Sequence, residues 1–184
     1  EKERVRLVLD ECFVQFLTSG EEASMQLETG RFRYLFVLQA FTKIYAVPGI
    51  RLGYGISSDK ALLERMETVR QPWSVSTPAQ AAGLSALKED HREEQTRQLV
   101  KSERERMEKE LENLRIEYIP SEANFLLFNS EINWFEELKK RGILIRDCAN
   151  YRGLGNGWYR MAVRLPEEND RLLECMKQVL NERS

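Results

Sequence analysis

The chain has 184 residues, 42% of them hydrophobic and 32% charged, which is enough for a buried core in one domain or two small ones. Its formal net charge of −2 excludes a basic field that would recruit nucleic acid or an anionic membrane surface. Every apolar run is shorter than the roughly 18 residues that a membrane span needs. Three scattered cysteines and one histidine exclude a disulfide framework, a zinc site and a Ser-His-Asp triad.

The first residues bear on whether the chain is a whole protein. It opens without methionine and reaches an apolar strand pattern at Val5, so we expect a fragment of a longer polypeptide. Residues 1–6 also lack the apolar segment of a signal peptide. Together with the cysteine pattern, this favours a cytoplasmic protein.

Three short apolar segments in the first part of the chain predict strands. Residues 5–9 and 35–41 are nearly continuous apolar runs, which are typical of strands buried on both faces in α/β proteins. Residues 51–56 contain two glycines and predict a third strand with close backbone approach. Lys43 then falls in a predicted loop between the second and third strands.

The middle of the chain predicts helices. Residues 59–70 have apolar side chains at helical spacing, and Thr77-Pro78 predicts a helix start from which the helical pattern continues to about residue 115. Residues 88–117 hold 18 charged side chains, 8 basic and 10 acidic, so their mixed signs predict a solvated helix face. A thin apolar stripe on this helix predicts packing against a neighbouring layer: Val100, Met107, Leu111 and Leu114.

The last third of the chain alternates between the two kinds of element. Strands are predicted at residues 123–128, 143–146 and 159–163, and helices at 134–141 and 167–180. The whole pattern predicts an α/β fold in two parts. Residues 1–75 form part of a larger sheet domain, and residues 76–184 form a smaller α+β domain.

Lys43 is the most informative residue of the chain. It directly follows the hydroxyl of Thr42 and precedes Arg51 by eight residues, with the turn-forming pair Pro48-Gly49 between them. A lysine amine can form an imine with a carbonyl cofactor, while a hydroxyl and a guanidinium can hold a phosphate nearby.

Asp10 ends an apolar strand, which is where ligands meet a doubly wound sheet. By position alone, a turn or helix-capping role is the stronger interpretation of this aspartate.

Five segments resemble the fold-type I pyridoxal-phosphate enzymes of the class I/II aminotransferase family. The resemblance is to the branch that contains histidinol-phosphate aminotransferase and threonine-phosphate decarboxylase, and it covers only the second part of such an enzyme. It implies the C-terminal part of a pyridoxal-phosphate-dependent transferase fold. Residues 1–75 then belong to the large, mostly parallel sheet domain and residues 76–184 are the small domain. In chain order the segments are residues 8–13, 40–54, 122–125, 144–154 and 158–164.

The resemblance implies that four residues bind pyridoxal 5'-phosphate. Lys43 bonds to the cofactor and then transfers the proton, and Asp10 pairs with the pyridine nitrogen. Thr42 and Arg51 bind the cofactor phosphate, a task suited to the planar fork of arginine.

The resemblance also implies three substrate-binding residues. Arg160 matches the arginine that binds the α-carboxylate, and Arg146 matches the one that binds the distal phosphate. Either could instead be a surface salt-bridge residue. Asn124 orients the carboxylate or holds the domain hinge.

Two residues depart from the pattern that is common in the family. Ala40 replaces a serine or threonine that many relatives have three residues before the lysine, so the phosphate site loses a hydroxyl or takes one from elsewhere in the protein. Phe13 replaces a tyrosine that donates to the cofactor ring oxygen in many aminotransferases, and phenylalanine cannot donate. Threonine-phosphate decarboxylase-like members also have phenylalanine at this position.

These residues predict a pyridoxal-phosphate-dependent enzyme that acts on a phosphorylated amino acid. Phe13 and residues 145–154 favour a threonine-phosphate decarboxylase-like activity, in cobalamin biosynthesis, over the alternative of a histidinol-phosphate-type class I/II aminotransferase. The family implies a homodimer, because a second subunit completes the substrate pocket. An alternative of another class is a catalytically incomplete fragment, because the upstream half of the family supplies a phosphate loop and a stacking aromatic ring. A helical interaction module at residues 79–115 is a third possibility.

Overall fold

The computed structural model describes residues 5–89 and 91–183, without the side chain of Glu21. The structure does not describe residues 1–4, 90 and 184. The outer ends of both predicted domains therefore lie outside the described residues. The chain divides into two compact units, Glu1–Arg97 and Gln98–Ser184. This division falls later than residue 75, and the predicted domain boundary stays a prediction. Across the described ranges, no helix combines the length and the apolar character that a bilayer span requires.

The first unit contains a three-stranded sheet in the order β1-β2-β3. Strand β1 (Leu7–Asp10) pairs in parallel with β2 (Leu35–Ala40), which pairs antiparallel with β3 (Gly53–Ile56). The three predicted strands are therefore confirmed, and the central one is buried at Leu35, Phe36 and Val37. The prediction that both faces of β1 are buried is wrong for this unit. Strand β1 lies at the edge of the sheet, and its Leu7 and Val8 side chains are each 54% exposed.

In its described residues, the first unit also contains three whole helices, the start of a fourth and four short 3₁₀ turns. Helix α1 (Phe41–Ile44) begins directly after β2, so Lys43 lies in a helical turn and not in the predicted loop. Asp59 caps helix α2 (Lys60–Val69), and the cap of helix α3 (Thr77–Ala86) is Ser76, one residue before the predicted Thr77. The 3₁₀ turns are Val14–Phe16, Gly20–Ala23, Leu27–Gly30 and Pro48–Ile50.

The long helix predicted from Thr77 to residue 115 is interrupted. Helix α3 ends at Ala86, and helix α4 (Arg92–Asn113) begins after His91, whose φ is +64°. A left-handed residue cannot continue a right-handed ladder. The sequence between the helices contains neither glycine nor proline, so its pattern gives no sign of the break.

The second unit contains a four-stranded antiparallel sheet in the order β4-β5-β7-β6. Helices α5 (Trp134–Lys140) and α6 (Pro166–Asn181) follow the predicted positions. The strand predicted at residues 143–146 is wrong except at its end, because only Arg146 pairs with a neighbouring strand. Strand β4 was not predicted, and its three residues are too few to show a period. The strands are β4 (Glu117–Ile119), β5 (Phe125–Asn129), β6 (Arg146–Asp147) and β7 (Trp158–Ala162).

One face of this second sheet forms the core of the second unit. Alternate side chains of β5 and β7 are buried on it, together with the apolar stripes of α4 and α6. The predicted packing of the α4 stripe is confirmed, since Met107 and Leu111 are fully buried. The opposite face therefore carries the remaining side chains of both strands, Arg160 among them. The core side chains are Met107, Leu111, Leu126, Phe128, Tyr159, Met161, Leu173 and Met176.

Candidate active site

Asp10 and Lys43 follow the carboxyl ends of two neighbouring parallel strands. Asp10 is the last residue of β1, and Lys43 lies in the helical turn that begins where β2 ends. The Lys43 ammonium lies 5.3 Å from the ring centroid of Phe13, in the turn after β1. The two strand ends therefore bring a carboxylate and a primary amine to the same edge of the sheet.

Cys12 connects these two groups electrostatically. Its thiol and its backbone N–H both donate to the Asp10 carboxylate, and these hydrogen bonds lower the pKa of Asp10. Burial raises the pKa of the Cys12 thiol to about 11, Asp10 adds to this rise, and Lys43 opposes it. Asp10 is consequently ionised at neutral pH, which is the state that pairs with a protonated ring nitrogen.

Thr42 and Arg51 are held near each other by the backbone. The N–H of Phe41 donates to the carbonyl of Leu52 at 3.2 Å. Thr42 directly follows Phe41 and Arg51 directly precedes Leu52, so this bond keeps their backbones close together. Arg51 follows a 3₁₀ turn with a left-handed φ of +57°, and its Nη1 donates to the carbonyl of Pro48 at 2.9 Å. A hydroxyl and a guanidinium thus stand beside the lysine turn.

Gly53 allows β3 to approach β2 closely enough for this arrangement. A Cβ at this position would lie 2.8 Å from the carbonyl oxygen of Gln39, which is closer than side-chain carbons come to backbone oxygens. The glycine therefore fixes where the Arg51 segment meets the start of α1.

The four groups fit pyridoxal phosphate by their chemistry. The Lys43 amine suits the aldehyde, the Asp10 carboxylate suits the pyridine nitrogen, and the Thr42 hydroxyl with the Arg51 guanidinium suits the phosphate. Lys43 and Arg51 are exposed, and in the described part of the chain neither forms an ion pair that would neutralise it. Ala40 caps α1 without a side-chain hydrogen bond, as expected from its missing hydroxyl.

The second unit places two arginines side by side. Arg146 of β6 and Arg160 of β7 are direct cross-strand partners, so their side chains share a face of the sheet about 5 Å apart at Cβ. The Arg160 guanidinium lies 4.9 Å from the Phe125 ring centroid, and that of Arg146 lies 5.8 Å from the Tyr151 ring centroid. Among the described residues, neither arginine has a carboxylate partner. Two uncompensated cations on one face suit an anionic ligand.

Asn124 precedes β5, next to Phe125 and therefore next to the ring that Arg160 covers. Its carbonyl accepts the N–H of Val163 at 2.9 Å, which ties it to the end of β7. Arg104, 4% exposed, donates Nη1 to the carbonyls of Glu122 and Ala123 at 3.0 and 3.3 Å. This role of Arg104 was not predicted, because the mixed charges of α4 are typical of a solvated helix face. Its helical spacing with Val100, Met107 and Leu111 was the available signal.

The candidate residues thus form two groups, one in each unit. Asp10, Thr42, Lys43 and Arg51 lie in the first unit, and Asn124, Arg146 and Arg160 lie in the second. The described residues hold no cluster of three or more His, Cys, Asp or Glu side chains that could bind a metal ion.

Residues 1–175 match the sequence description of the family named aminotransferase class I and II. The chain belongs to this family. It is 37% identical over 180 residues to threonine-phosphate decarboxylase of Salmonella typhimurium, covering 96% of this chain and 49% of that protein. It is also 37% identical over 175 residues to histidinol-phosphate aminotransferase 1 of Archaeoglobus fulgidus, covering 95% of this chain and 52% of that protein.

The class I and II aminotransferase fold is also found among solved structures. The crystal structure of the histidinol-phosphate aminotransferase from Clostridium acetobutylicum has a TM-score of 0.92 and 31% identity, covering 98% of this chain and 56% of that chain. The chain spans about half the length of the curated relatives it matches.

Several predictions made from the sequence are confirmed at the level of the family. They are the class I/II aminotransferase resemblance, the partial α/β fold and the cofactor, since the relatives are pyridoxal-phosphate-dependent decarboxylases and aminotransferases. Two relatives of equal identity, 37%, bear different activities, so the comparisons do not choose between them. The roles of the individual residues and the homodimer stay predictions.

Proposed function

We propose that the protein to which this chain belongs is a pyridoxal-phosphate-dependent enzyme that acts on a phosphorylated amino acid. The observation that carries the proposal is the Arg146–Arg160 pair, two guanidinium groups on one sheet face without a carboxylate partner among the described residues. A phosphorylated amino acid offers a carboxylate and a phosphate, which are the two anions that arginine binds in a bidentate manner.

Arg160 would bind the α-carboxylate and Arg146 the distal phosphate. The Arg160 guanidinium lies over the Phe125 ring at 4.9 Å, which restricts its orientation while leaving N–H groups at its edge for a carboxylate. The bond from Arg146 Nη2 to Asn150 Oδ1, at 3.2 Å, is to a neutral group, so the positive charge of Arg146 remains available for phosphate.

The first unit would supply the residues that hold the cofactor and move the proton. When bound, pyridoxal phosphate withdraws electrons from the substrate α-carbon so that a bond to this carbon can break. The Asp10 carboxylate accepts the ring N–H, while Thr42 and Arg51 bind the phosphate. The Lys43 amine accepts or returns the proton at the α-carbon.

The first candidate activity is decarboxylation of threonine phosphate, as in cobalamin biosynthesis. Phe13 supports it, because its ring lies 5.3 Å from the Lys43 ammonium and carries no hydroxyl that could donate there. In this activity the bond that would break is the one between the α-carbon and the carboxylate carbon, so CO₂ would leave and Lys43 would return a proton to the α-carbon.

The second candidate activity is transamination of histidinol phosphate, a phosphorylated amino alcohol without a carboxylate. In this case Arg146 would bind the substrate phosphate, and the carboxylate for Arg160 would come from the amino-group acceptor 2-oxoglutarate. The equal identity to a histidinol-phosphate aminotransferase, 37%, and the TM-score of 0.92 to another support this activity. In this case the bond that breaks is the Cα–H bond, and Lys43 takes the proton.

A direct assay separates the two activities. The natural full-length polypeptide that contains this chain is incubated with L-threonine O-3-phosphate, and separately with histidinol phosphate and 2-oxoglutarate. Release of CO₂ from threonine phosphate supports the first activity, and glutamate formation supports the second. A Lys43→Ala variant should lose both. If neither phosphorylated substrate is turned over by a protein that binds the cofactor, the proposal is wrong.

The third candidate is that these 184 residues alone are catalytically incomplete, since they cover about half of each curated relative. We then expect the isolated polypeptide to bind added pyridoxal phosphate weakly. A strong visible absorbance band that disappears in Lys43→Ala would contradict this expectation.

A further inference from the structure

A buried polar network lies beside the candidate cofactor residues without belonging to them. Its centre is the carboxyl group of Glu11, which is 9% exposed. One carboxyl oxygen accepts from Ser24 Oγ at 2.6 Å and from Gln39 Nε2 at 3.0 Å, and the other accepts from the Met25 N–H at 2.8 Å. Burying a carboxyl group is costly unless hydrogen bonds replace its water, and here three donors do so.

Gln39 joins this network to the central strand of the sheet. It lies in β2, is 4% exposed, and also accepts from Gln15 Nε2 at 2.6 Å. Both ends of its amide are therefore bonded, which fixes the side chain in one orientation. The network consequently connects the end of β1, the end of β2 and the turn at Ser24–Met25.

The same two residues adjoin the cofactor groups in the sequence. Glu11 directly follows Asp10, and its N–H extends the ladder to the carbonyl of Leu38 at 2.9 Å. Gln39 is followed by Ala40 and then by helix α1, which carries Lys43. The Glu11–Gln39 bond is thus a side-chain cross-link between the two strand ends that present the carboxylate and the amine.

We propose that Glu11 and Gln39 are positioning residues that fix the Asp10 carboxylate relative to the Lys43 amine. The inference rests on the proposed function, since it assigns a role at the same cofactor site. In a Glu11→Gln variant, an amide NH₂ replaces one acceptor oxygen and faces a donor. The strand ends must then shift, or the network must open.

A merely structural role predicts a different outcome. Loss of the network would then lower the stability of the fold and leave the bound cofactor unaltered. A positioning role predicts a change in cofactor affinity and in the pH midpoint of the visible absorbance of the bound cofactor. This midpoint depends on how near a carboxylate and an amine stand to the ring.

The experiment uses the natural full-length protein loaded with pyridoxal phosphate. It compares wild type with Glu11→Gln, Gln39→Glu and the double variant that inverts the pair. The inverted pair keeps one amide and one carboxylate in contact, so it restores the bond that each single variant loses. Glu22→Gln removes one exposed negative charge in the same unit and serves as the matched control.

We expect Glu11→Gln to weaken cofactor binding by about tenfold and to shift the pH midpoint by at least about half a unit. The inverted pair should recover both quantities, and Glu22→Gln should alter neither. Unchanged affinity and midpoint in Glu11→Gln, with reduced stability alone, would overturn the inference, as would an inverted pair that recovers stability but neither cofactor property.

Ser24→Ala covers the case in which Glu11→Gln does not fold. It removes one donor to Glu11 without changing charge, and we expect a smaller shift of affinity and midpoint in the same direction. Wild-type values for both in a folded Ser24→Ala protein would overturn the inference. A wild-type protein without any Lys43-dependent absorbance would overturn the proposed function, and this inference with it.

Discussion

Arg146 of β6 lies directly opposite Arg160 of β7, so two positive side chains share one face of the second sheet. Like charges in directly opposed positions destabilise a sheet, on the scale of about 0.2–1 kcal/mol per cross-strand pair. The aromatic rings beneath the two guanidinium groups hold them in place without neutralising them. In the proposed function, the pair is an anion site whose charge repulsion is relieved when its ligand binds.

Replacement of one arginine separates binding from stability. We expect Arg146→Gln to raise KM for a phosphorylated substrate by about tenfold to a hundredfold, because a charge-assisted bond to phosphate is lost. The free energy of unfolding should stay constant or rise by up to about 1 kcal/mol, because the repulsion is relieved. Steady-state kinetics and urea denaturation measure the two effects.

Arg164→Gln is the matched control for this prediction. Arg164 is exposed and pairs with Glu168 at 2.7 Å, so its loss should leave KM unaltered. Equal effects of Arg146→Gln and Arg164→Gln on KM would contradict an anion site at the opposed pair.

Gly53 and Gly49 provide a second comparison. In Gly53→Ala the new methyl group meets the Gln39 carbonyl at 2.8 Å, so β3 must move away from β2 at a cost of about 1–3 kcal/mol. Gly49→Ala meets no atom within 4 Å, so it should be neutral or stabilise by up to about 1 kcal/mol. Urea denaturation of both variants tests the difference, and similar stabilities would show that the close approach is not needed.

Cys12 should react slowly with iodoacetamide at pH 8. Burial, together with Asp10, raises its pKa from an ordinary 9.0 to about 11, so the thiolate is about a hundredfold scarcer than in an unperturbed cysteine. Because the pKa is higher in the folded state, this thiol's contribution to stability is complete below pH 9.0 and declines as pH rises through about 11. Alkylation rates between pH 7 and 11, in a Cys148→Ala/Cys175→Ala background, measure the titration.

Substitution of the two charged neighbours of Cys12 should change its alkylation rate in opposite directions. Asp10→Asn removes the negative charge and the carboxylate acceptor, and should speed alkylation. Lys43→Met removes the positive charge that lowers the thiol pKa, and should slow it. A thiol that reacts like glutathione in all three proteins would refute the proximity of Asp10, Cys12 and Lys43.

Arg104 should be important for stability despite its position on a highly charged helix. Arg104→Met would leave the carbonyls of Glu122 and Ala123 without their buried donor, at a cost of about 1–3 kcal/mol. Lys101→Met, one turn earlier and exposed, should change stability by less than about 0.5 kcal/mol. If the denaturation midpoint changes equally in the two variants, the hydrogen bonds of Arg104 to these carbonyls do not stabilise the fold.

The sequence predicts the elements of this fold better than their ends. Strand β2 and helices α2 and α6 follow from periodicity, because each has one clear apolar pattern. The break before His91 could not be predicted, because an ordinary residue adopts the left-handed conformation there. The strand predicted at residues 143–145 is absent for a related reason. An apolar run predicts a strand, but it does not show whether another strand lies alongside to pair with it.

The candidate site also has residues that the sequence predicts and residues that it does not. Sequence motifs predict roles for the lysine, the aspartate and the arginines, whose chemistry is visible in the residue types themselves, and these roles stay predictions. Glu11 and Arg104 were missed because an acidic or basic residue usually lies on the surface. Only the three-dimensional structure shows that each of these two has carbonyl or amide partners in place of water.

Arg51 occupies a left-handed backbone conformation that glycine would adopt with less strain. An arginine held there costs about 1 kcal/mol relative to glycine on steric grounds. In the proposed function, the contact of Arg51 with the cofactor phosphate would offset that cost. Folding stability and cofactor binding would then place opposite demands on this one residue.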